Sequence, residues 1–253
     1  MKTLLVAAKE VRSSFVTPVA YVVLAGFMIL SGYFFFTLVD EYNSALRAAA
    51  MIPDFKTNLN QWIIIPFYRT LQVLILFLVP VLTMRLVTEE KRTGTFELLM
   101  TSPLSVESIV LGKFLGTCAI IILMFLLVSV FPLALILFAD PEVAPIFVGL
   151  FGLILYACSF VAIGVSVSAL TSSQTIAGVV TFIVLLLFFM LESSAVKLGE
   201  TLGGKIVYYL SPTHHVELLI TGVISGSDIV YFLSVIAVGL FAANRVLEAH
   251  RWR

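Results

Sequence analysis

The amino-acid sequence predicts an all-α integral membrane protein with six transmembrane helices, forming a single transmembrane domain over residues 1–253. Of its 253 residues, 60% are hydrophobic and 12% are charged, whereas soluble domains contain about 25% charged residues. The hydrophobic residues fall into long runs, and about 20 apolar residues suffice to cross a bilayer core. The formal net charge is zero, so bulk charge indicates no nucleic-acid partner.

Residues 1–15 predict a helix that lies on the membrane surface before the first span. Apolar residues recur at helical spacing, and basic residues occupy the other faces, which is typical of an interfacial helix. Thr17 and Pro18 end this helix because proline breaks the helical hydrogen-bond pattern. The apolar positions are Leu4, Leu5, Ala8, Val11 and Phe15, and the basic positions are Lys2, Lys9 and Arg12.

The six spans follow from the apolar runs and from the polar stretches between them. A polar loop is predicted over 40–61, a short hairpin link over 171–175, and two short outer-leaflet helices within 192–227. Ten of the fifteen Lys and Arg residues fall on the side that holds both termini, which predicts N-in and C-in orientation. The predicted spans cover about 19–39, 63–87, 112–138, 147–170, 176–191 and 229–247.

The charged passage between spans two and three, residues 89–103, predicts a docking helix outside the membrane; we call it the coupling segment. Its charges begin with Glu89 and Glu90, and a charge at the bilayer centre costs roughly 2.5–3.5 kcal/mol. Gly94 loosens the backbone, and a short helix follows before Pro103 stops it. On that helix Phe96, Leu99 and Met100 share one face, and Glu97 lies near the N-terminus. A groove on another protein can bind such a helix; the alternative is an ordinary solvated loop.

This passage resembles the membrane subunits of type-2 ATP-binding-cassette transporters. The resemblance extends from the N-terminal helix through six spans to the basic tail, and it is greatest to the short permeases of gliding motility and nitrous-oxide-reductase maturation. A second matching pattern lies before the last span, at Ser211, Pro212, His215 and Glu217, continuing to Gly222 and Asp228. The pattern in the passage between spans two and three consists of Glu90, Gly94, Thr95, Glu97, Leu99, Ser102, Pro103 and Lys113.

The resemblance implies a permease of a bacterial inner membrane that moves or extracts a substrate by alternating access. It implies that the coupling segment docks on a separate ATPase subunit, which holds the ATP and magnesium, so that this chain carries no cofactor. It also implies a second permease copy or a paralogue as partner. The main alternative is a membrane component that transports nothing and relays ATPase motion to an extracytoplasmic partner. An integral-membrane enzyme is a weaker third hypothesis, since no catalytic constellation appears at membrane depth.

Several other motifs have simpler interpretations. Residues 199–205 fit most of the phosphate-binding pattern, but Ile206 replaces the hydroxyl residue that magnesium requires. His214, His215 and Glu217 suggest a metal site, yet adjacent histidines point to different helix faces, which favours a polar turn at the membrane interface. Cys118 and Cys158 lie in apolar runs and are interpreted as small buried residues. Two stripes of small residues on span four favour close helix packing over a pore lining; they contain Cys158, Ala162 and Ser166, and Gly164 and Ser168.

Overall fold

A computed structural model describes residues 2–49, 58–97, 105–139, 141–199 and 201–251. All secondary structure in these ranges is helical, and a π-helical turn at Asn60–Ile64 leads into α3. The α-helices are α1 Lys2–Val16, α2 Pro18–Ala49, α3 Ile65–Thr83, α4 Thr88–Arg92, α5 Val106–Val128, α6 Val130–Ala139, α7 Val143–Leu170, α8 Gln174–Leu198, α9 Leu202–Leu210, α10 Pro212–Ile220 and α11 Gly226–Arg251.

Six helical stretches within the described residues are long and apolar enough to cross a membrane, which confirms the predicted fold class. They are α2, the stretch from the π-helical turn through α3 to α4, α5 with α6, α7, α8 and α11. The spans alternate in direction, so the bundle has two ends. We call them the α1 end, where α1 and α4 lie, and the α10 end, where α9 and α10 lie.

Two helices extend beyond the predicted spans. α2 continues to Ala49, so the first ten residues of the predicted 40–61 loop are helical, and α8 continues to Leu198. The stretch after residue 39 contains Ala, Leu, Glu and Arg, which are good helix formers in water. Hydropathy detects only the part of a helix that matches the bilayer thickness, and therefore it misses such extensions.

The third span is divided at Ser129 into α5 and α6. Pro132 lacks a backbone N–H and so cannot donate to the carbonyl four residues earlier. Around the break, the Ser129 hydroxyl donates to the Leu126 carbonyl at 2.7 Å, and the Leu133 N–H donates to the Ser129 carbonyl at 3.0 Å. A break at Ser129 thus interrupts an apolar run that hydropathy alone predicts to be one continuous span.

α7 is the central helix and contacts α3, α5, α8, α10 and α11. Small residues allow this close packing: a Cβ added to Gly164 would collide with Thr83 of α3. On another face, the Ser166 hydroxyl donates to the Gly239 carbonyl of α11 at 2.5 Å. The predicted small-residue stripes therefore lie in helix–helix contacts, as in other membrane bundles.

The predicted interfacial helix is present as α1, and it packs along the first half of α5. Gly112 and Gly116 of α5 make this contact possible, because added Cβ atoms would lie 2.5 Å from Val6 Cβ and 2.7 Å from Glu10 Cβ. The sequence predicts the helix from its own amphipathic pattern. Its packing partner depends on two glycines about 100 residues away and was not predicted.

The two predicted short helices before the last span are α9 and α10. Thr201 caps α9 by accepting a hydrogen bond from the Gly204 N–H at 3.1 Å, and Pro212 occupies the first turn of α10. Gly199, at the end of α8, has a φ of +61°, which glycine adopts without strain. The phosphate-loop look-alike at 199–205 thus contributes the end of one helix and the cap of the next.

Candidate functional site

The coupling segment begins at α4, which is hydrogen-bonded to the end of α7. We call α4 and the residues that bind it the base of the coupling segment. The Val87 N–H donates to the Ser168 hydroxyl at 3.1 Å, and Lys91 Nζ donates to the Ala169 carbonyl at 2.5 Å. Carbonyls in the last turn of a helix lack partners within the helix, and lysine is a favourable donor to them. These two bonds hold α4 against α7 where the chain leaves span two.

The same base contains a buried cluster of charges, formed by Glu10, Glu90 and Lys113; we call it the charge triad. Lys113 Nζ lies 3.0 Å from Glu90 Oε1 and 3.2 Å from Glu10 Oε2. The Lys113 side chain is 5% exposed, and each glutamate side chain is 18% exposed. The three residues come from α5, α4 and α1, so one ammonium group joins three separate elements.

The helix that carries Lys113 is positioned by its own cap and by its glycines. Ser105 caps α5 by accepting a hydrogen bond from the Ser108 N–H at 3.3 Å, and serine is a preferred residue at this position. Gly112 and Gly116 flank Lys113 and bring the backbone of α1 close enough for Glu10 to reach the ammonium. The triad therefore depends on the close packing of α1 against α5.

The chain turns away from this base immediately after α4. Gly94 has a φ of +71°, and the Thr93 hydroxyl donates to the Glu89 carbonyl at 2.9 Å, closing the end of α4. Arg92 through Thr95 are exposed. The base thus presents an exposed turn, and a helix begins again at Phe96.

The predicted docking residues occupy different positions in this arrangement. Glu90 lies in the charge triad rather than on a free surface. Phe96 is half-buried, with Lys91 Nζ 5.5 Å from its ring centroid, and Glu97 is exposed. Gly94 and Thr95 form the exposed turn. Three further predicted residues lie outside the described ranges; they are Leu99, Met100 and Pro103.

At the α10 end, His215 is buried in a hydrogen-bond network, although the sequence favoured a polar interface turn. Its Nδ1 lies 2.7 Å from Asp228 Oδ1, and its Nε2 lies 2.9 Å from the Tyr209 carbonyl oxygen. A carbonyl oxygen only accepts, so Nε2 donates to it, and one proton lies between Nδ1 and the carboxylate. The ring also stacks on Tyr231 at 4.0 Å between centroids, and His215 and Asp228 are 2% and 1% exposed. These contacts fasten α10 to the first turn of α11.

The neighbouring residues of this pattern separate into buried and half-buried positions. Ser211 is fully buried, and Pro212 begins α10. Glu217 forms an ion pair with Arg69 of α3, in which Arg69 Nε donates to Glu217 Oε1 at 2.9 Å. His214 lies beside this network, where burial lowers the pKa of its ring and neighbouring His215 lowers it further. The ring of His214 is therefore neutral over a wider pH range than an isolated histidine.

The sequence analysis did not predict that four residues act as charge partners in these sites. They are Glu10, Lys113, Arg69 and Asp228. Glu10 lies in the predicted surface helix, and Lys113 and Asp228 belong to the two family patterns. Glu10 and Lys113 are 103 positions apart, and Arg69 and Glu217 are 148 positions apart. One signal was present: Lys113 lies at the start of the third predicted span, and a charge that is drawn into a span needs a partner because unpaired charges in the bilayer are costly.

The chain matches the model of the family described as ABC-2 family transporter protein over residues 4–247. The match begins in the first turn of α1, ends in the last turns of α11 and covers everything between them. No curated protein matches this chain.

Proposed function

The chain belongs to the ABC-2 family of transporter proteins and is a membrane permease subunit of an ATP-binding-cassette transporter, and we propose that it docks on a separate ATPase subunit through the coupling segment. Permeases of this family are non-catalytic membrane subunits, so ATP and magnesium belong to the partner. In this proposal two permease copies, or this chain and a paralogue, move or extract a substrate by alternating access.

One observation carries the proposal: an exposed turn projects from a base of buried ion pairs. Force applied at residues 92–97 reaches α1, α5 and α7 through Lys113 and Lys91, because those side chains bind all three helices. A solvated loop needs no such anchoring. An ATPase that moves the turn would therefore move the ends of several spans together.

The orientation of the chain follows from the same proposal. The coupling segment and the N-terminus lie at the α1 end, which we place in the cytoplasm where ATP is available. The uneven distribution of Lys and Arg supports this orientation. α8 presents exposed apolar side chains on its outward face, among them Val179, Ile183 and Leu187. In the assembled transporter this face contacts lipid or the second permease copy.

The docking proposal is tested with Glu97→Arg, a charge reversal on the exposed part of the coupling segment. Like charges across an interface cost several kcal/mol, so recovery of the ATPase in a pull-down should fall by at least about tenfold. Glu41→Arg is the matched control, because Glu41 is also exposed but lies near the C-terminus of α2, far from the coupling segment. Unchanged recovery with Glu97→Arg, at normal expression, would contradict docking through this segment.

A second measurement separates transport from force relay. Proteoliposomes that contain the permease and its ATPase should show ATP-dependent movement or extraction of a substrate if the chain is a transporter. ATP turnover that depends on the permease, is abolished by Glu97→Arg, and occurs without any such movement would instead support the mechanical alternative. The two functions share the docking site and differ only in this readout.

A further inference from the structure

An open cavity of about 440 Å³ lies near the α10 end, between α3, α8 and α10. The cavity lies about one turn after the start of α3 and about two turns before the end of α8. Charged groups at this depth can reach the headgroup region of a bilayer, whereas they are unfavourable at its centre. The walls that matter here are Arg69, Gln72, Val73, Phe189, Glu192 and Glu217.

The charges around the cavity do not balance. Arg69 is occupied by Glu217, whose carboxylate binds the guanidinium. Glu192 is half-buried on the facing helix, and within the described part of the chain it has neither a hydrogen bond nor an ion pair. One arginine against two glutamates leaves a net charge of −1. The cavity therefore favours a cationic group beside Glu192.

Gln72 supplies an independent indication of a ligand. Its side chain is buried, with 2% exposure, it lines the cavity, and its Nε2 has no hydrogen-bond partner. Buried donors in native proteins are nearly always paired, and an unpaired one calls for a water or ligand that the site would hold. A primary amide nitrogen only donates, so the missing partner is an acceptor oxygen.

Val73 and Phe189 give the same cavity an apolar side. Val73 is 39% exposed, and Phe189 is partly buried against the core. The site thus combines a carboxylate, an amide donor and an apolar wall within one opening. Together these groups can bind an amphiphile in which a cationic group lies next to an oxygen acceptor.

We propose that this cavity binds an amphiphile with a primary ammonium group beside a phosphate oxygen, as in an ethanolamine headgroup. The ammonium binds Glu192, the phosphate oxygen accepts from Gln72 Nε2, and the attached chain lies along Val73 and Phe189. A membrane lipid and a soluble amine phosphate share this headgroup chemistry. The site is independent of ATPase docking, so the proposal goes beyond the function proposed above and stands or falls separately.

The test measures lipid binding to the purified chain by native mass spectrometry, without an ATPase. Dioleoylphosphatidylethanolamine should bind more tightly than dioleoylphosphatidylcholine, because a quaternary ammonium has no N–H to donate to Glu192. Glu192→Gln should remove this preference, lowering ethanolamine-lipid affinity about tenfold, as for a lost hydrogen bond to a charged group. Gln72→Leu should weaken both lipids, since both carry the phosphate.

Glu41→Gln is the control for lost negative charge, because Glu41 is exposed and lies outside the cavity. Soluble O-phosphoethanolamine tests the source of the headgroup. Competition at equal concentration would support a soluble amine, and lipid binding without competition would support a membrane lipid. Equal binding of the two lipids, or an ethanolamine preference that survives Glu192→Gln, would overturn the proposal. Glu192→Gln is nearly isosteric at a half-buried position, so its result does not depend on whether Gln72→Leu folds.

Discussion

The α1 end and the α10 end both use charged side chains to join helices, but the ion pairs that join distant parts of the chain are buried at the α1 end and exposed at the α10 end. At the α1 end, Lys113 is 5% exposed and pairs with two glutamates from different elements. At the α10 end, the long-range ion pair between Arg69 and Glu217 is 59% and 26% exposed, and the buried pair of His215 and Asp228 spans only 13 residues.

This difference in the burial of the long-range ion pairs indicates how freely each end can rearrange. Breaking a buried ion pair leaves an uncompensated charge and is strongly unfavourable, whereas exposed pairs contribute little. The α1 end therefore moves as one body, which suits an end that receives force. At the α10 end, the local His215–Asp228 pair stabilises one short helix, while the exposed pair can open without a large cost. Four substitutions test this comparison, beginning with the largest expected effect.

Lys113→Met should cause the largest loss of stability. The substitution leaves Glu10 and Glu90 side by side without their cation, and breaking a buried pair costs about 3–5 kcal/mol. The measurement is the free energy of unfolding of the purified protein in an SDS titration. Lys9→Met is the control, because Lys9 is exposed on α1. The triple variant Glu10→Gln, Glu90→Gln and Lys113→Met should recover most of the loss. A loss that persists in the triple variant would mean that packing, not charge, is responsible.

Asp228→Ala should have the next largest effect, with a loss of about 1.5–3 kcal/mol, because it removes a buried charged partner of His215. His215→Ala should cost a similar amount, and the double variant should show a coupling energy of about 0.5–3 kcal/mol. Ser227→Ala, at an exposed neighbouring position, is the control. Additive single effects would show that the two side chains do not act as a pair.

The spans and the short helices could be predicted because they depend on local sequence. Apolar runs give the six spans, Ser105 gives the cap of α5, and Pro212 begins α10. The charge triad could not be predicted, because Lys113 meets glutamates 103 and 23 positions away and no local pattern identifies them. His215 was assigned to an interface turn for the same reason: its partner Asp228 lies in the next helix.

The coupling segment contains both a feature that local sequence predicts and a contact that it does not. Gly94 was predicted to loosen the backbone, and it has the positive φ that favours glycine. Glu90 was predicted to take part in docking on the strength of its family pattern, and the structure adds a contact with Lys113 that the pattern does not reveal. The docking role of the coupling segment remains a prediction.

Gly116→Ala should have a smaller effect that links packing to the charge triad. The added Cβ would lie 2.7 Å from Glu10 Cβ and 3.0 Å from the Ala7 carbonyl oxygen. Overpacking of this kind costs about 1–3 kcal/mol, and it should displace α1 and lengthen the Glu10–Lys113 contact. Gly26→Ala is the control, because nothing lies within 4 Å of its added Cβ. The loss should shrink in the Lys113→Met background; an equal loss there would show that the triad does not depend on this packing.

Arg69→Gln should have the smallest effect, a change of less than about 1 kcal/mol in the free energy of unfolding. The Arg69 side chain is 59% exposed, so solvent and lipid headgroups compete with Glu217 for its guanidinium. Arg245→Gln is the matched control: Arg245 is 63% exposed and pairs with Glu248 at the α1 end. The two variants should be indistinguishable, although they lie at opposite ends, because burial rather than location determines the energy of an ion pair. If Arg69→Gln instead destabilises the protein as much as Lys113→Met, the Arg69–Glu217 pair is covered in the membrane or the assembled transporter. The α10 end would then be as firmly held as the α1 end, and the contrast between them would fail.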